Sequence, residues 1–275
     1  MTSVLRWEGV ATAQAPIVHV DGDAGNLALF RRHKVTPPDG EAVQVPVITG
    51  NHLRGRWRRV GERLTRSALA YDGMLTAAAA AILDNGGTMS HTGREPVSGA
   101  ELRALRGLWP LLSVFGCAAG PGTVEGCLTV GMVYPVVAET EFITGIPSRE
   151  PADGILQMDT LTHARAGSGH DWPATTTETG REGKPMIFDV EALAPGTRLH
   201  VWCQLEQPTA VEHAFFAEVL GEWRAWSGFL GSRTGAGNGR VSVEWLRRPP
   251  PPEAGWREAV AGRRDEALAA LERLC

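Results

Sequence analysis

The chain has 275 residues, a formal net charge of −4, 43% hydrophobic residues and 21% charged residues. This length and composition are typical of a folded domain with a sizeable core, and they exclude a mainly disordered chain. No apolar stretch approaches the roughly 18 consecutive residues of a membrane helix, and the first residues lack the pattern of a secretory signal. The four cysteines lack the close pairing of a zinc site, so we expect free thiols in a cytoplasmic protein, without metal or cofactor.

Basic residues are concentrated in one part of the chain. From Arg31 to Arg66, nine basic residues stand against three acidic ones, which gives a local charge of +6. Almost all basic residues are arginines, since lysine occurs only at positions 34 and 184. Arginine binds phosphate through two parallel hydrogen bonds and stacks on bases, so the cluster is compatible with an RNA partner. A GC-rich genome explains the bias toward arginine equally well, but it does not explain the clustering.

The predicted elements alternate between strands and helices in a mixed order. In chain order we predict a strand over 4–13, a loop over 21–25, a short strand over 43–48, helices from 51, over 71–83 and over 98–108, a short apolar segment over 111–116, a strand over 124–137, a long loop or hairpin over 138–184, a strand over 199–205, a helix over 208–226, a glycine-rich loop over 228–239, a strand over 241–245 and a final helix over 253–274. This order favours an α+β fold with helices on one face of a sheet, like the ferredoxin-like or RRM-like unit.

The segment over 45–59 reads Val-Pro-Val-Ile-Thr-Gly-Asn-His-Leu-Arg-Gly-Arg-Trp-Arg-Arg. We expect a strand that ends at Gly50 and a helix capped by Asn51. Free N–H groups at a helix start favour a phosphate, and the arginines of the first turns add positive charge. The alternative is a solvated amphipathic helix. The apolar residues that would face the core are spaced by four, three and four: Leu53, Trp57, Val60 and Leu64.

This segment resembles the P-x-I-x-G-x-S-L-K-G-x-x-R motif of backbone proteins in the CRISPR-associated RAMP superfamily, the Cas-seven-like kind. Residues 51–55, Asn-His-Leu-Arg-Gly, stand where that family has its small residue, leucine, basic residue and glycine. Two further segments follow in the family's order. Residues 112–116 resemble its L-F-G turn, and residues 228–243 resemble its glycine-rich loop before the last core strand. The residues at 48–51, Ile-Thr-Gly-Asn, and the Arg58–Arg59 pair most resemble those of type IV backbone proteins, with type III second.

The resemblance implies a single RAMP domain over 1–275 with an RRM-like palm, helical fingers over 51–116, a thumb hairpin inserted over 138–185, and a C-terminal linker and helix over 249–275. It implies a subunit that binds guide RNA (crRNA) and stacks head to tail with copies of itself, with complementary target nucleic acid and other CRISPR subunits as partners and no membrane. The residues predicted to bind RNA are Arg31, Arg32, His33, Lys34, Asn51, His52, Arg54, Arg56, Arg58, Arg59, Arg233, Asn238 and Arg240.

The resemblance also bears on catalysis. RNA-cutting type III relatives carry an aspartate shortly before the Pro-x-Ile segment, whereas residues 26–35 here contain no acid. We therefore expect a subunit that does not cut RNA. The alternative is a RAMP endoribonuclease, in which a displaced aspartate or the histidines at 19, 33 and 52 would carry the reaction. The candidate aspartates are Asp21, Asp23 and Asp39.

Two other activities are less compatible with the sequence. His163 and His170, with Asp159 and Asp171, only superficially resemble a metal cluster. A small-molecule enzyme of ferredoxin-like fold is weakened because no nucleotide-binding glycine motif follows a strand and opens a helix.

Overall fold

The computed structural model describes residues 3–24, 27–38, 40–87, 99–119, 122–162, 187–226, 228–253 and 255–274. The strands are β1 (Val4–Ala13), β2 (Val20–Ala24), β3 (Leu27–Phe30), β4 (Arg32–Val35), β5 (Val43–Pro46), β6 (Cys117–Ala119), β7 (Gly122–Val124), β8 (Leu128–Val130), β9 (Tyr134–Pro135), β10 (Leu156–Thr162), β11 (Ile187–Leu193), β12 (Arg198–Glu206) and β13 (Val241–Arg247). The helices are α1 (Gly50–Leu69), α2 (Ala77–Asn85), α3 (Gly99–Leu108), α4 (Pro110–Phe115), α5 (Glu141–Thr144), α6 (Ala210–Ala225), α7 (Arg257–Ala261) and α8 (Arg264–Leu274). Short 3-10 turns are formed by Ala138–Thr140, Ala152–Ile155 and Thr234–Ala236.

The central sheet has the strand order β13-β1-β12-β8, with β9 also paired to β12, and every neighbouring pair is antiparallel. In the chain these strands alternate with two helices in the order β1, α1, β8, β12, α6, β13. The first strand thus lies between the last strand and the third, which is the ferredoxin-like arrangement. The predicted α+β fold is confirmed.

One face of this sheet and two helices form the core. Alternate residues of β1 and β12 are buried there, as the period of a strand requires. Trp57 of α1 and Trp7 of β1 both meet Phe216 of α6 edge to face, with ring centroids 5.7 and 5.3 Å apart. Gly61 lets α6 pack closely against α1, because an added Cβ would lie 2.8 Å from Phe215 Cζ. Two features therefore position α1 against α6: the packing of the Trp57 ring and the absence of a side chain at Gly61.

The other helices surround α1, which also contacts α2, α4 and α7. Trp109 Nε1 donates to Ala267 O of α8 at 2.6 Å, so the C-terminal helices are tied to the body. Trp256, which precedes α7, is 1% exposed. The finger-like insertion predicted over 51–116 thus begins with a palm helix, and only α2, α3 and α4 are additional to the ferredoxin-like unit.

A second sheet has the order β10-β11-β3-β2. Strands β10 and β11 form an antiparallel pair from Leu156↔Leu193 to Thr162↔Ile187. The thumb predicted over 138–185 therefore starts in regular structure, and Ala152 and Ile155 belong to the core. Residues 163–185 of the predicted thumb lie outside the described residues.

Several predicted elements differ from the observed ones. The predicted loop over 21–25 overlaps β2, and β3 and β4 were not predicted. The predicted strand over 124–137 is divided into β7, β8 and β9, because Gly126 and Gly131 pass too close to other groups for a side chain. The predicted final helix is two helices, α7 and α8.

The predicted helix over 71–83 starts later, at Ala77, where the Thr76 side chain accepts a hydrogen bond from Ala79 N. Tyr71 lies before it and donates its hydroxyl to Glu62 Oε1 at 3.1 Å. Tyr71 therefore lies before the helix that it was predicted to begin, and it makes a buried hydrogen bond instead.

The packing at Gly61 gives a testable prediction. We expect Gly61→Ala to lower the free energy of unfolding by about 1–3 kcal/mol, because the new Cβ overpacks the α1–α6 contact. Gly55→Ala in the same helix is the matched control, because no atom lies within 4 Å of its Cβ position. The control should stabilise the protein by roughly 0.5–1 kcal/mol through helix propensity. Urea unfolding measures both, and equal shifts in the two variants would contradict the packing described.

Candidate nucleic-acid interface

The start of α1 is fixed by its cap and by the neighbouring sheet. Thr49 is the N-cap, and its Oγ1 accepts from His52 N at 3.2 Å. The prediction that Asn51 caps this helix is therefore wrong, since Asn51 lies in the first turn and is exposed. A Cβ on Gly50 would lie 2.6 Å from Val130 O, so only glycine allows the helix to begin against the end of β8.

Arg58 points into the protein and is only 7% exposed. Its guanidinium donates to Leu83 O at 3.0 Å, to Ile82 O at 2.7 Å and to Gly116 O at 2.8 Å. The first two carbonyls belong to the last turn of α2, where a cation also interacts favourably with the helix dipole. Burial lowers the pKa of Arg58 to about 10, so the side chain stays charged at neutral pH.

Arg54 has a similar role one turn earlier. It donates to Leu128 O at 2.6 Å and to Phe115 O at 2.8 Å. Gly116 adopts a φ of +67°, which exposes the carbonyls of this turn to both arginines. Two of the segments that carry the resemblance, 45–59 and 112–116, are thus joined by side chain to backbone hydrogen bonds.

These contacts give Arg54 and Arg58 a role inside the protein, and their contact with phosphate stays a prediction. Both guanidinium groups are engaged with backbone carbonyls inside the protein, which accounts for these residues without RNA. Helical spacing alone did not reveal this, because the carbonyls come from α2 and from the turn at 115–116, far away in the chain.

The glycine-rich loop meets the opposite side of the α1 start. Arg56 Nη2 donates to Gly231 O at 2.7 Å, and the His52 ring lies 5.0 Å from the His19 ring. Burial lowers the pKa of His52 to about 4, and the neighbouring His19, Arg56 and Arg59 add to the effect. His52 is therefore neutral at pH 7, and α1 lies between both of the other segments that carry the resemblance.

Two of the basic residues in β4 and just before it, Arg32 and Arg31, form ion pairs. Arg32 binds Glu191 through two hydrogen bonds of 2.8 Å, and Glu191 Oε2 also accepts from Phe30 N at 2.8 Å. Hydrogen bonds from Arg32 hold the pKa of Glu191 below its usual value. Arg31 forms an ion pair with Asp21. In these ion pairs Arg31 and Arg32 already have carboxylate partners.

Other candidates remain at the surface. Lys34 is exposed on β4, and His33 beside it is half-buried. In the glycine-rich loop Arg240 is exposed, and Arg233 has a φ of 57° at the start of the 3-10 turn. Asn238, by contrast, is buried.

Helix α1 carries an arginine stripe that the sequence analysis did not single out. Its members are spaced by three, four and three residues, and they are Arg56, Arg59, Arg63 and Arg66. Arg59 and Arg63 are exposed, and neither side chain makes a hydrogen bond or ion pair with any residue that the structure describes. Arg66 is bound to Glu62 at 2.6 Å. The helical spacing could have revealed this stripe.

A cleft of about 720 Å³ lies on the other side of Arg59, between α1, the end of α2 and the β6–β7 hairpin. Its polar lining is Asn51, Arg54, Arg58, Arg59, Asp84, Asn85, Thr123 and Glu125. Because Arg54 and Arg58 are engaged with carbonyls, Asn51 and Arg59 are the predicted RNA-binding residues that this cleft leaves available.

The described residues lack the groupings that metal binding requires. In that part of the chain, no three His, Cys, Asp or Glu side chains are grouped to hold a metal ion. Of the superficial cluster, His163, His170 and Asp171 lie outside the described residues. Cys117, Cys127 and Cys203 form no disulfide within the part of the chain that the structure describes. Among the helices described, none combines the length and apolar content that crossing a bilayer requires.

The structure describes the three aspartates considered as catalytic candidates to different extents. Asp21 is paired with Arg31, Asp39 lies outside the described residues, and Asp23 is described only in its backbone, on β2.

The chain is similar to a chain of a solved structure named "Type IV-B CRISPR Complex". The two share 29% sequence identity and superpose with a TM-score of 0.65, and the match covers 92% of this chain and 96% of that chain. No model of a protein family matches the chain, and no curated protein matches it. The similarity in both sequence and fold supports a CRISPR-associated protein.

The buried role of Arg58 gives a second prediction. We expect Arg58→Met to lower the free energy of unfolding by about 2–4 kcal/mol, because it leaves three buried carbonyls without a charged donor. Arg59→Met is the matched control on the same helix and should change stability by less than about 0.5 kcal/mol. Thermal or urea unfolding distinguishes them. Similar, small effects of both substitutions would show that the internal hydrogen bonds of Arg58 are unimportant.

Proposed function

We propose that this protein is a guide-RNA-binding backbone subunit of a CRISPR effector complex, and that it holds the RNA without cutting it. The observation that carries the proposal is the 29% identity, over nearly the full length of both chains, to a chain of a type IV-B CRISPR complex. The motif resemblance over 45–59, 112–116 and 228–243 points to the same superfamily and, as a proposal, to type IV.

The arrangement around α1 supports an RNA-binding role. The helix presents Arg59 and Arg63 to solvent beside the glycine-rich loop, which adds Arg233 and Arg240. These cations meet the requirement for phosphate contacts that are independent of sequence. A subunit that grips only the backbone leaves base edges free, so recognition of a target belongs to the guide.

The proposed partners follow from this role. Copies of the chain would stack head to tail along the guide, which is a heterologous interface that builds a filament. Complementary target nucleic acid would pair with the guide, and other CRISPR subunits would complete the complex. The thumb proposed over 138–185 would reach toward the neighbouring copy.

The alternative is a RAMP endoribonuclease. The observation that favours it is a pair of imidazoles, since the His19 and His52 ring centroids lie 5.0 Å apart and two imidazoles can serve as base and acid. Against it, burial lowers the pKa of His19, and Asp21 is paired with Arg31. A carboxylate held by an arginine is a poorer base for a ribose 2′-OH.

The proposed role predicts the salt dependence of RNA binding. Arg59→Glu and Arg240→Glu should each weaken binding to single-stranded RNA of any sequence. Each should also reduce the slope of log affinity against log salt by about 0.7, because each phosphate contact releases counterions. Arg263→Glu, which makes the same charge change between α7 and α8, should leave both quantities near the wild-type values. Unchanged affinity and slope in the first two variants would contradict the proposal.

The proposal also predicts that RNA stays intact. The protein, loaded with a guide and mixed with labelled complementary RNA, should give no cuts, with or without divalent metal ions, because the carboxylate of the candidate base Asp21 is paired with Arg31. Evenly spaced cuts that disappear with Asp21→Ala would favour the endoribonuclease instead. Gel analysis of the labelled strand provides the measurement.

A further inference from the structure

A second cleft, of about 430 Å³, opens on the arginine stripe of α1. It lies between α1, the end of α6 and the first residues of the glycine-rich loop, and its volume is in the range of small-ligand pockets. The aromatic residues in its lining are Trp223, Trp226 and Phe229, and the basic ones are Arg56, Arg59 and Arg63. We call it the Trp226 cleft.

Trp226 is an exposed platform at this cleft. It is 68% exposed, although a large apolar ring in water is normally covered. Its indole is held in place, since Nε1 donates to Glu222 Oε2 at 2.9 Å. The ring therefore offers a fixed, planar surface to an incoming molecule.

The wall behind it is closed by Trp223, which is 4% exposed. The glycine-rich loop crosses this ring at Gly228, where an added Cβ would lie 2.8 Å from the indole. Within the described part of the chain, Trp223 Nε1 has no hydrogen-bond partner. The aromatic side of the cleft is thus built from the end of α6 and the loop that follows it.

The charge of the cleft is positive. Arg59 and Arg63 are exposed there and make no ion pair with the described residues. The one acidic residue in the lining, Glu62, is already engaged by Arg66 at 2.6 Å and by the Tyr71 hydroxyl at 3.1 Å. A ligand that fits must combine a flat apolar group with negative charge, and a nucleotide has both.

We propose that the Trp226 cleft binds one unpaired nucleotide of the RNA, with its base stacked on Trp226 and its phosphate held by Arg59 and Arg63. Stacking on an aromatic side chain tolerates any base, which suits a subunit that holds guides of varied sequence. This inference rests on the proposed function and adds to it a contact with a base where the proposal so far invokes only phosphates.

The test uses the full chain and single-stranded RNA oligonucleotides of equal length, one normal and one composed of abasic nucleotides. Trp226→Ala should weaken binding to the normal oligonucleotide by roughly tenfold or more, because one base loses its stacking partner. It should leave binding to the abasic oligonucleotide unchanged. Trp226→Phe should retain most of the affinity, and Leu246→Ala, at another exposed apolar side chain, should retain all of it.

The outcomes separate this inference from the proposed function. If wild-type protein binds the normal and abasic oligonucleotides equally, and Trp226→Ala has no effect on either, the stacking proposal is wrong while RNA binding stands. If the wild-type protein binds neither oligonucleotide, both proposals are wrong. If Trp226→Ala changes only the oligomeric state of the protein and not its RNA affinity, the cleft is a contact between copies of the chain and the nucleotide proposal is overturned.

Discussion

The buried guanidinium of Arg58 is the interaction on which the surroundings of α1 depend. It joins three pieces of chain that are far apart in the sequence: the middle of α1, the last turn of α2 and the turn at Gly116. Each acceptor is the backbone carbonyl of a buried residue, and buried carbonyls that lack a partner are costly. Arg54 repeats the arrangement at Phe115 and Leu128.

Helix α1 accordingly divides its arginines between two tasks. Arg54 and Arg58 face inward and hold the fold, whereas Arg59 and Arg63 face outward and keep their donors free of contacts with the described residues. The division follows from the helical period, because positions 54 and 58 share one face of α1 and positions 59 and 63 share another. Helix α1 thus carries exposed positive charge on one face, and the hydrogen bonds of Arg54 and Arg58 fix its position in the fold.

Much of the fold was predictable from periodicity. Strand β1 has the predicted bounds, and the alternation at 199–205 became β12, in which residues 199, 201, 203 and 205 are fully buried. The order of strands and helices led to the ferredoxin-like sheet. Short strands such as β2 and β3 were not predicted, since the glycine and acids of β2 also suit a loop and β3 has only four residues. The pairing of β3 also depends on β11, which lies far along the chain.

The candidate site was predictable only in part. Its three segments were identified by their resemblance to family motifs, and the structure brings them together, because 45–59 contacts both 115–116 and 231. The direction of each arginine was not predictable, since it depends on which carbonyls approach from elsewhere. The cap was assigned to Asn51 although Thr49 provides it, because both residue types cap helices well.

The central claim is that RNA lies along the outward face of α1 beside the glycine-rich loop. Electron cryo-microscopy of the protein purified together with its RNA tests this most directly. The account predicts copies stacked head to tail with RNA density next to Arg59 and Arg240. An RNA-free monomer, or RNA density on a surface away from α1 and the loop, would contradict it.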